Sequence, residues 1–370
     1  MLAELDRHPH ARAVLGPALR EGAGVSHAYL FHGPGGSGKR AVARAVAAEL
    51  LSRGSPDPES ARARAGSGAH PDLTWVRPSG AHEMLVSDVE EPVIAAASKT
   101  PFEASSRVFV IERVDELGDE AANRMLKTLE EPASFVHLIL ITDRLAEVLP
   151  TIRSRCQLVR FDPPPSEEVA EAVRRAGASE ETAIACARLA LGDAERAVQL
   201  AGKRGARLRA GAEEFARAPL SAEPKTAGKP WAALLSAVKA AGVAVGNELE
   251  DRKQAELELY PRKEQKRVAT EWDERIKRSR RRAETGTLDF GLQLVSLWYA
   301  DLAHLAWGAE DLVRNSDRLD QLHADAGPEP ATLHRAVELV EDTRQRFQLN
   351  VSEELACEAL AYKLERTLAR

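Results

Sequence analysis

Tyr29-Leu30-Phe31-His32-Gly33-Pro34-Gly35-Gly36-Ser37-Gly38-Lys39-Arg40 decides how the first part of the chain folds. An apolar run leads into a glycine-rich loop closed by lysine, and a helical stretch, Arg40–Leu51, follows. That is the order of a strand, a phosphate-binding loop and its helix. Gly33 and Gly38 relax the backbone so that successive N–H groups turn inward as an anion cradle, and Gly36 belongs to the same set. Lys39 is the point charge that reaches the outer phosphates. A working loop carries a hydroxyl after the lysine to hold Mg²⁺; here Arg40 brings a permanent cation to that place. The loop is built like that of an ATPase and disarmed at its last position. Whether phosphate, nucleotide or water fills the cradle is open at this level, and no cofactor is required.

Outward from the loop, short β-rich runs alternate with helical stretches through about residue 162, the pattern of a parallel sheet with helices on both faces. Strands are expected at Tyr29–His32, Leu73–Val76, Val108–Glu112, Leu138–Thr142 and Leu158–Phe161. Helices are expected at Arg40–Leu51, Ser87–Ala97 and Asp119–Leu129, with Asp119 as a cap. Ser52–Pro71, rich in Gly, Pro, Ser and Arg, reads as a surface loop. Pro163-Pro164-Pro165 closes this α/β domain, residues 1–163, as a stiff hinge. A three-helix module follows at 164–216, with Gly192-Asp193 as turn and cap, then a linker at 217–230 and an all-α domain at 231–370. In that last domain Val243–Ala283 predicts long helices broken near Pro261, and Leu288–Trp307 a buried bundle helix. Asn350 and Glu353 stand at capping-box spacing before the final helix.

A chain of 370 residues exceeds one comfortable core, so two or three domains are expected. The formal net charge of -6 gives no global pull toward nucleic acid or anionic lipid. Cys156, Cys186 and Cys357 stand far apart without metal-ligand spacing, which argues against disulfides and a zinc site. The first residues lack a basic segment followed by an apolar core, and no run approaches membrane-spanning length, so a cytoplasmic protein with no membrane partner is expected.

In P-loop ATPases a second strand ends in an aspartate that holds Mg²⁺ through water, and a glutamate after it orients the attacking water. Val108-Phe109-Val110-Ile111 fills that slot, but its end reads Glu112-Arg113. The metal-side acid is one methylene longer, and Arg113 cannot accept a proton. Taking Asp115-Glu116 as the acidic pair would put Arg113 inside a buried strand.

Further motifs add a resemblance. Asp119–Pro132, containing Asn123-Arg124-Met125-Leu126-Lys127-Thr128-Leu129-Glu130-Glu131-Pro132, is similar to the signature of bacterial clamp-loader subunits of the AAA+ class. Leu149-Pro150-Thr151-Ile152-Arg153-Ser154-Arg155-Cys156 matches their Ser-Arg-Cys motif, and Ser26-His27-Ala28 before the loop fits the same family. The departures at Arg40, Glu112 and Arg113 resemble its delta-prime branch rather than its ATP-hydrolysing motors.

The resemblance implies an AAA+ P-loop domain, a helical lid and an all-α collar for oligomerisation. It implies a place in a hetero-oligomeric ring with motor and delta subunits, serving a sliding clamp and primer-template DNA. Arg155 would project into a neighbour's nucleotide site as an arginine finger, a device worth roughly 10³–10⁵ in rate, or about 4–7 kcal/mol of barrier. Ser154 and Cys156 would position and pack, since no nearby histidine in the sequence can activate them. Thr142 resembles the family's γ-phosphate sensor. The lid arginine of the motors is replaced by Glu195, with Arg196 one step along and about 100° around the helix. Many relatives carry four zinc cysteines between the first helix and second strand; Ser52–Pro71 holds none.

Two rival readings are an active clamp-loader ATPase motor with atypical Walker motifs and a DNA-binding module using Lys277-Arg278-Ser279-Arg280-Arg281-Arg282. The plainer reading of that basic block is a solvated helix end whose cations favour the C-terminal dipole.

Overall fold

The structure is a computed structural model that describes residues 3–20, 24–80, 83–221, 228–258, 260–347 and 351–368. Asn350 and residues 222–227 of the expected linker lie outside the described residues. The chain divides into two compact units, Met1–Pro164 and Pro165–Arg370.

The first unit is built on strands β1 (Ala28–His32), β2 (Leu73–Val76), β3 (Arg107–Glu112), β4 (Val136–Thr142) and β5 (Gln157–Arg160). They form one parallel sheet in the order β2-β3-β4-β1-β5. Central strands of such a sheet are covered on both faces, which is why β3 is buried at every position and β4 at all but one. Alternation sorts the side chains by face. Tyr29, Phe31, Val108, Val110, Ile139 and Ile141 pack with helices α1 (Pro9–Ala18), α2 (Lys39–Ser52) and α3 (Pro58–Ser67). Leu30, Phe109, Ile111, Leu138 and Leu140 pack on the other side with α4 (Val86–Val89) and α5 (Asp119–Glu130).

Three local expectations change. Ser52–Pro71 is not all loop: Asp57 caps α3 by accepting from the Ser60 N–H (3.0 Å), Pro58 opens the helix and Gly68 ends it. The stretch Ser87–Ala97 is not one α-helix, because Pro92 lacks the N–H the ladder needs. After α4 the backbone widens into a π-turn, Glu90–Ala95. Asp119 is the first residue of α5 rather than its cap, which is Gly118.

The second unit is all-helical: α7 (Ser166–Arg175), α8 (Glu180–Leu189), α9 (Ala194–Ala201), α10 (Lys203–Arg217), α11 (Ala232–Leu257), α12 (Arg262–Ala306), α13 (Leu319–Asp325), α14 (Pro330–Arg346) and α15 (Glu353–Leu368). The label α6 belongs to a single turn of the first unit, Pro150–Arg153. One apolar core runs from Val169 on α7 through Phe215, Leu234 and Trp298 to Leu364 on α15. The fourth helix α10 joins the three-helix region to the rest, and no gap in that core separates a lid from a collar among the described residues. Asp193 caps α9 through the Arg196 N–H (2.9 Å).

The expected helix Leu288–Trp307 is the C-terminal part of α12, with Trp307 as its C-cap; α12 is a single helix of 45 residues that also contains Lys277–Arg282. The basic block therefore lies mid-helix, not at a helix end. Arg280 lies where a Cβ on Gly246 of α11 would meet it at 2.7 Å, and Arg281 pairs with Glu353 of α15 (2.6 Å). Part of this cationic run is spent on holding helices together.

Among the described residues one helix, α11, is long enough and, over an 18-residue stretch, apolar enough to cross a membrane, against the sequence expectation. It packs along α12, with Gly242 and Gly246 allowing close approach of Glu284 and Arg280, and Lys253 pairing with Asp273 (2.6 Å).

Candidate functional site

Because the sheet is parallel, every strand ends on the same edge, and that edge gathers the groups the sequence singled out. The loop from Gly33 to Gly38 follows β1, Glu112 ends β3, and Thr142 ends β4 beside β1. Gly33 (φ 146°), Gly36 (φ 72°) and Gly38 (φ 80°) take positive φ. A Cβ on Gly33 would stand 2.1 Å from the carbonyl oxygen of Phe161, so this position accepts only glycine.

Lys39 is buried and turned back on its own loop. Its ammonium donates to the carbonyls of Gly33 (2.6 Å) and Pro34 (2.6 Å) and to Ser37 Oγ (3.1 Å), and pairs with Asp143 (2.9 Å). In this state the charge that a phosphate would meet is already neutralised from within.

Glu112 is 2% exposed and carries three donors. Its Oε2 accepts from Arg40 Nε (2.8 Å), and its Oε1 from Trp75 Nε1 (2.6 Å) and Arg77 Nε (2.8 Å). The register explains the meeting. Trp75 pairs with Val110 and Val76 with Ile111, so Arg77 comes level with Glu112, and all four of Trp75, Arg77, Val110 and Glu112 face α2. Arg40, second residue of α2, closes the cluster from above, and Arg44 one turn on stacks over the Trp75 ring at 4.6 Å. Two guanidiniums thus occupy the carboxylate that a metal would need, a charge-assisted arrangement with well-directed donors.

Arg113 follows the strand in the left-handed region (φ 55°, ψ 50°), rare for a residue with a Cβ, and its guanidinium pairs with Glu116 (2.6 Å). Asp115 lies in the 3₁₀ turn Val114–Glu116, past the strand end. It accepts from Thr142 Oγ1 (2.6 Å) and Arg144 Nε (3.1 Å), so the sensor-like hydroxyl is bonded within its own chain.

Arg155 and its two motif neighbours lie elsewhere. They stand between α6 and the start of β5, and Glu130 is the last residue of α5, shortly before β4 begins, so both are at the edge where strands begin. A five-residue strand at about 3.3 Å per residue puts roughly 16 Å of sheet between this edge and the phosphate loop. Arg155 is partly exposed and held in place: Nε donates to Glu130 (2.8 Å), Nη2 donates to the same carboxylate oxygen, and Nη1 donates to the Thr151 carbonyl (2.8 Å) and Ser154 Oγ (3.3 Å). Burial pushes the Cys156 thiol up to about 12, which leaves it protonated and packed rather than nucleophilic. In the second unit Arg196 stacks on Phe290 at 4.7 Å.

The structure thus keeps the loop, Glu112 and Thr142 together, and sets Arg155 apart. Trp75, Arg77, Asp143 and Glu130 were missed. The parallel register of β2 with β3 is the signal that would have found Arg77. Among the described residues no group of three His, Cys, Asp or Glu side chains is placed to hold a metal ion.

A parallel sheet in this order, with a glycine-rich loop at the edge where its strands end and helices on both faces, defines an α/β P-loop protein. Residues 8–165 match the family described as DNA polymerase III, delta subunit. The chain is 38% identical over 145 residues to DNA polymerase III subunit delta' of Bacillus subtilis, covering 38% of this chain and 43% of that one. It is 35% identical over 136 residues to the subunit of the same name from Pseudomonas aeruginosa, covering 35% and 42%. The aligned regions span less than half the length of these relatives. A solved structure, a DNA polymerase III gamma subunit-related protein from Thermotoga maritima, aligns over 97% of this chain and 99% of its own with 14% identity and a TM-score of 0.45. Through its first unit the chain resembles the delta-prime subunits of the bacterial DNA polymerase III clamp loader.

Proposed function

We propose that this chain is a non-hydrolysing, delta-prime-like subunit of a replicative clamp loader that lends Arg155 to the nucleotide site of an adjacent motor subunit. The observation that carries the reading is the separation of Arg155 from its own phosphate loop, on opposite edges of one sheet. A cation so placed cannot serve the loop that precedes α2, whereas a guanidinium on a surface can meet a γ-phosphate carried by another subunit. The engagement of Glu112 by Arg40 and Arg77, and the ion pair of Arg113 with Glu116, support the absence of hydrolysis at the chain's own loop. On this reading the loop needs neither metal nor zinc, and the partners are motor and delta subunits, with the sliding clamp and primed DNA engaged through the assembly in the cytoplasm.

The test is Arg155→Ala in a loader reconstituted with its motor subunits, clamp and primed DNA. Hydrolysis at the site served by this chain is expected to fall about 10³-fold while assembly is retained. Stimulated ATPase equal to that of the unaltered loader would defeat the assignment.

A further inference from the structure

We infer that Glu130 is a parking residue for Arg155: it holds the guanidinium while the facing site is empty of charge and must release it for the finger to act. The inference rests on the trans role proposed for Arg155. Arginine has five N–H donors in a fixed fork. In this chain Nε and Nη2 both donate to Oε1 of Glu130, and Nη1 donates to the Thr151 carbonyl and to Ser154 Oγ. Among the described residues one N–H, on Nη2, is left over. A phosphate is best met by two parallel N–H groups, and the edge of the fork formed by Nε and Nη2 is the one that Glu130 covers.

Charge argues the same way. A guanidinium joined to a carboxylate offers a γ-phosphate little net attraction, and the carboxylate itself repels the charge that develops there. The two contacts of Nη1 come from neutral groups on the same short segment and orient the side chain without this conflict. The geometry therefore divides the partners: Thr151 and Ser154 aim the finger, and Glu130 withholds it. Both ends of the pair are partly exposed, 33% for Arg155 and 47% for Glu130, so the hold is light. An exposed pair of this kind biases a two-state equilibrium by about two- to five-fold.

Glu130→Gln keeps an acceptor of the same shape and removes the charge. In the reconstituted loader this substitution is expected to raise the stimulated kcat about two- to five-fold with the KM for ATP unchanged, since the contact is made at the transition state. The gain should shrink with added salt, which screens the pair in the unaltered chain. It should vanish when Arg155→Ala is present as well. A fall in kcat with Glu130→Gln, or no change, would overturn the parking role and leave the finger standing. An unaltered rate with Arg155→Ala alone would instead remove the finger and this inference with it. Matching thermal unfolding of all variants ties the readout to the pair, and Glu130→Ala serves as the second variant, expected to raise kcat in the same direction.

Discussion

Arg40 and Glu112 are joined by a 2.8 Å bond from Nε to Oε2, which links the residue after the loop lysine to the last residue of β3. In a working ATPase those two positions meet through a metal ion. In this chain the two side chains meet directly.

That bond belongs to a cluster, so the two partners differ in what they contribute. Glu112→Gln turns an amide donor toward a guanidinium or the Trp75 N–H inside a buried site, and is expected to cost about 1–2 kcal/mol. Arg40→Ala removes an exposed arm and leaves Trp75 and Arg77 in place, and is expected to cost less than about 1 kcal/mol. Urea unfolding of both variants checks the ranking. Equal losses would mean that Arg40 contributes as much to the cluster as Glu112 does and would contradict this ranking.

Giving the loop its hydroxyl is not expected to create an enzyme. Arg40→Ser frees one face of Glu112, but Arg77 stays on Oε1, and the next position remains an arginine paired with Glu116. Phosphate release by the purified variant with ATP and Mg²⁺ should stay at background. Sustained turnover would show that a carboxylate other than one at position 113 can orient the attacking water.

Backbone geometry gives a third expectation. Gly33→Ala meets both a positive φ and the Phe161 carbonyl, for which about 3 kcal/mol of lost stability is expected. Gly36→Ala meets the unfavourable φ at roughly 1 kcal/mol. A thermal scan that ranks them the other way would contradict the described loop.

The fourth concerns pH. Asp72 is fully buried, which by itself raises its pKa, but the backbone N–H groups of Ala104, Glu103 and Phe102 all donate to its carboxylate and bring the net shift below the usual value. A group whose folded pKa is depressed stabilises above its unfolded pKa and loses that contribution as pH falls through the folded one. Asp72→Asn is therefore expected to be less stable than the unaltered chain by about 1–3 kcal/mol at pH 7, with the gap closing below about pH 4. A gap that persists undiminished at pH 3 would mean that the charge is not what the three donors recognise.

How far the sequence could be read depended on whether its signals were local. Gly33, Gly38 and Lys39 mark the loop because the turn needs those residues at that spacing, and β1, β3 and β4 announce themselves as continuous apolar runs. The helix α3 was masked by its Gly- and Ser-rich surroundings, although Asp57-Pro58 and Gly68 carried its start and stop. Arg77 could be found only through the register of β2 with β3, and Asp143 and Glu130 were out of reach for another reason. Each meets its partner only where strand ends or helix ends converge, and nothing within a few residues of any of them reports the meeting. The run Lys277–Arg282 misled because a block of like charges reads as solvated, whereas Arg280 lies over Gly246 and Arg281 reaches Glu353.

The length of α12 has a mechanical side. Its C-terminal half, from Leu288 onward, is clamped in the core of the second unit, while the half toward Arg262 is braced by α11. At 1.5 Å per residue the stretch from Leu288 back to Arg262 is about 39 Å long, and α11 packs along it, with the Lys253–Asp273 and Arg281–Glu353 pairs as cross-links and Val268 and Trp272 buried. The two helices so joined form a doubled strut, stiffer against bending than either would be alone, rooted in the core around Trp298.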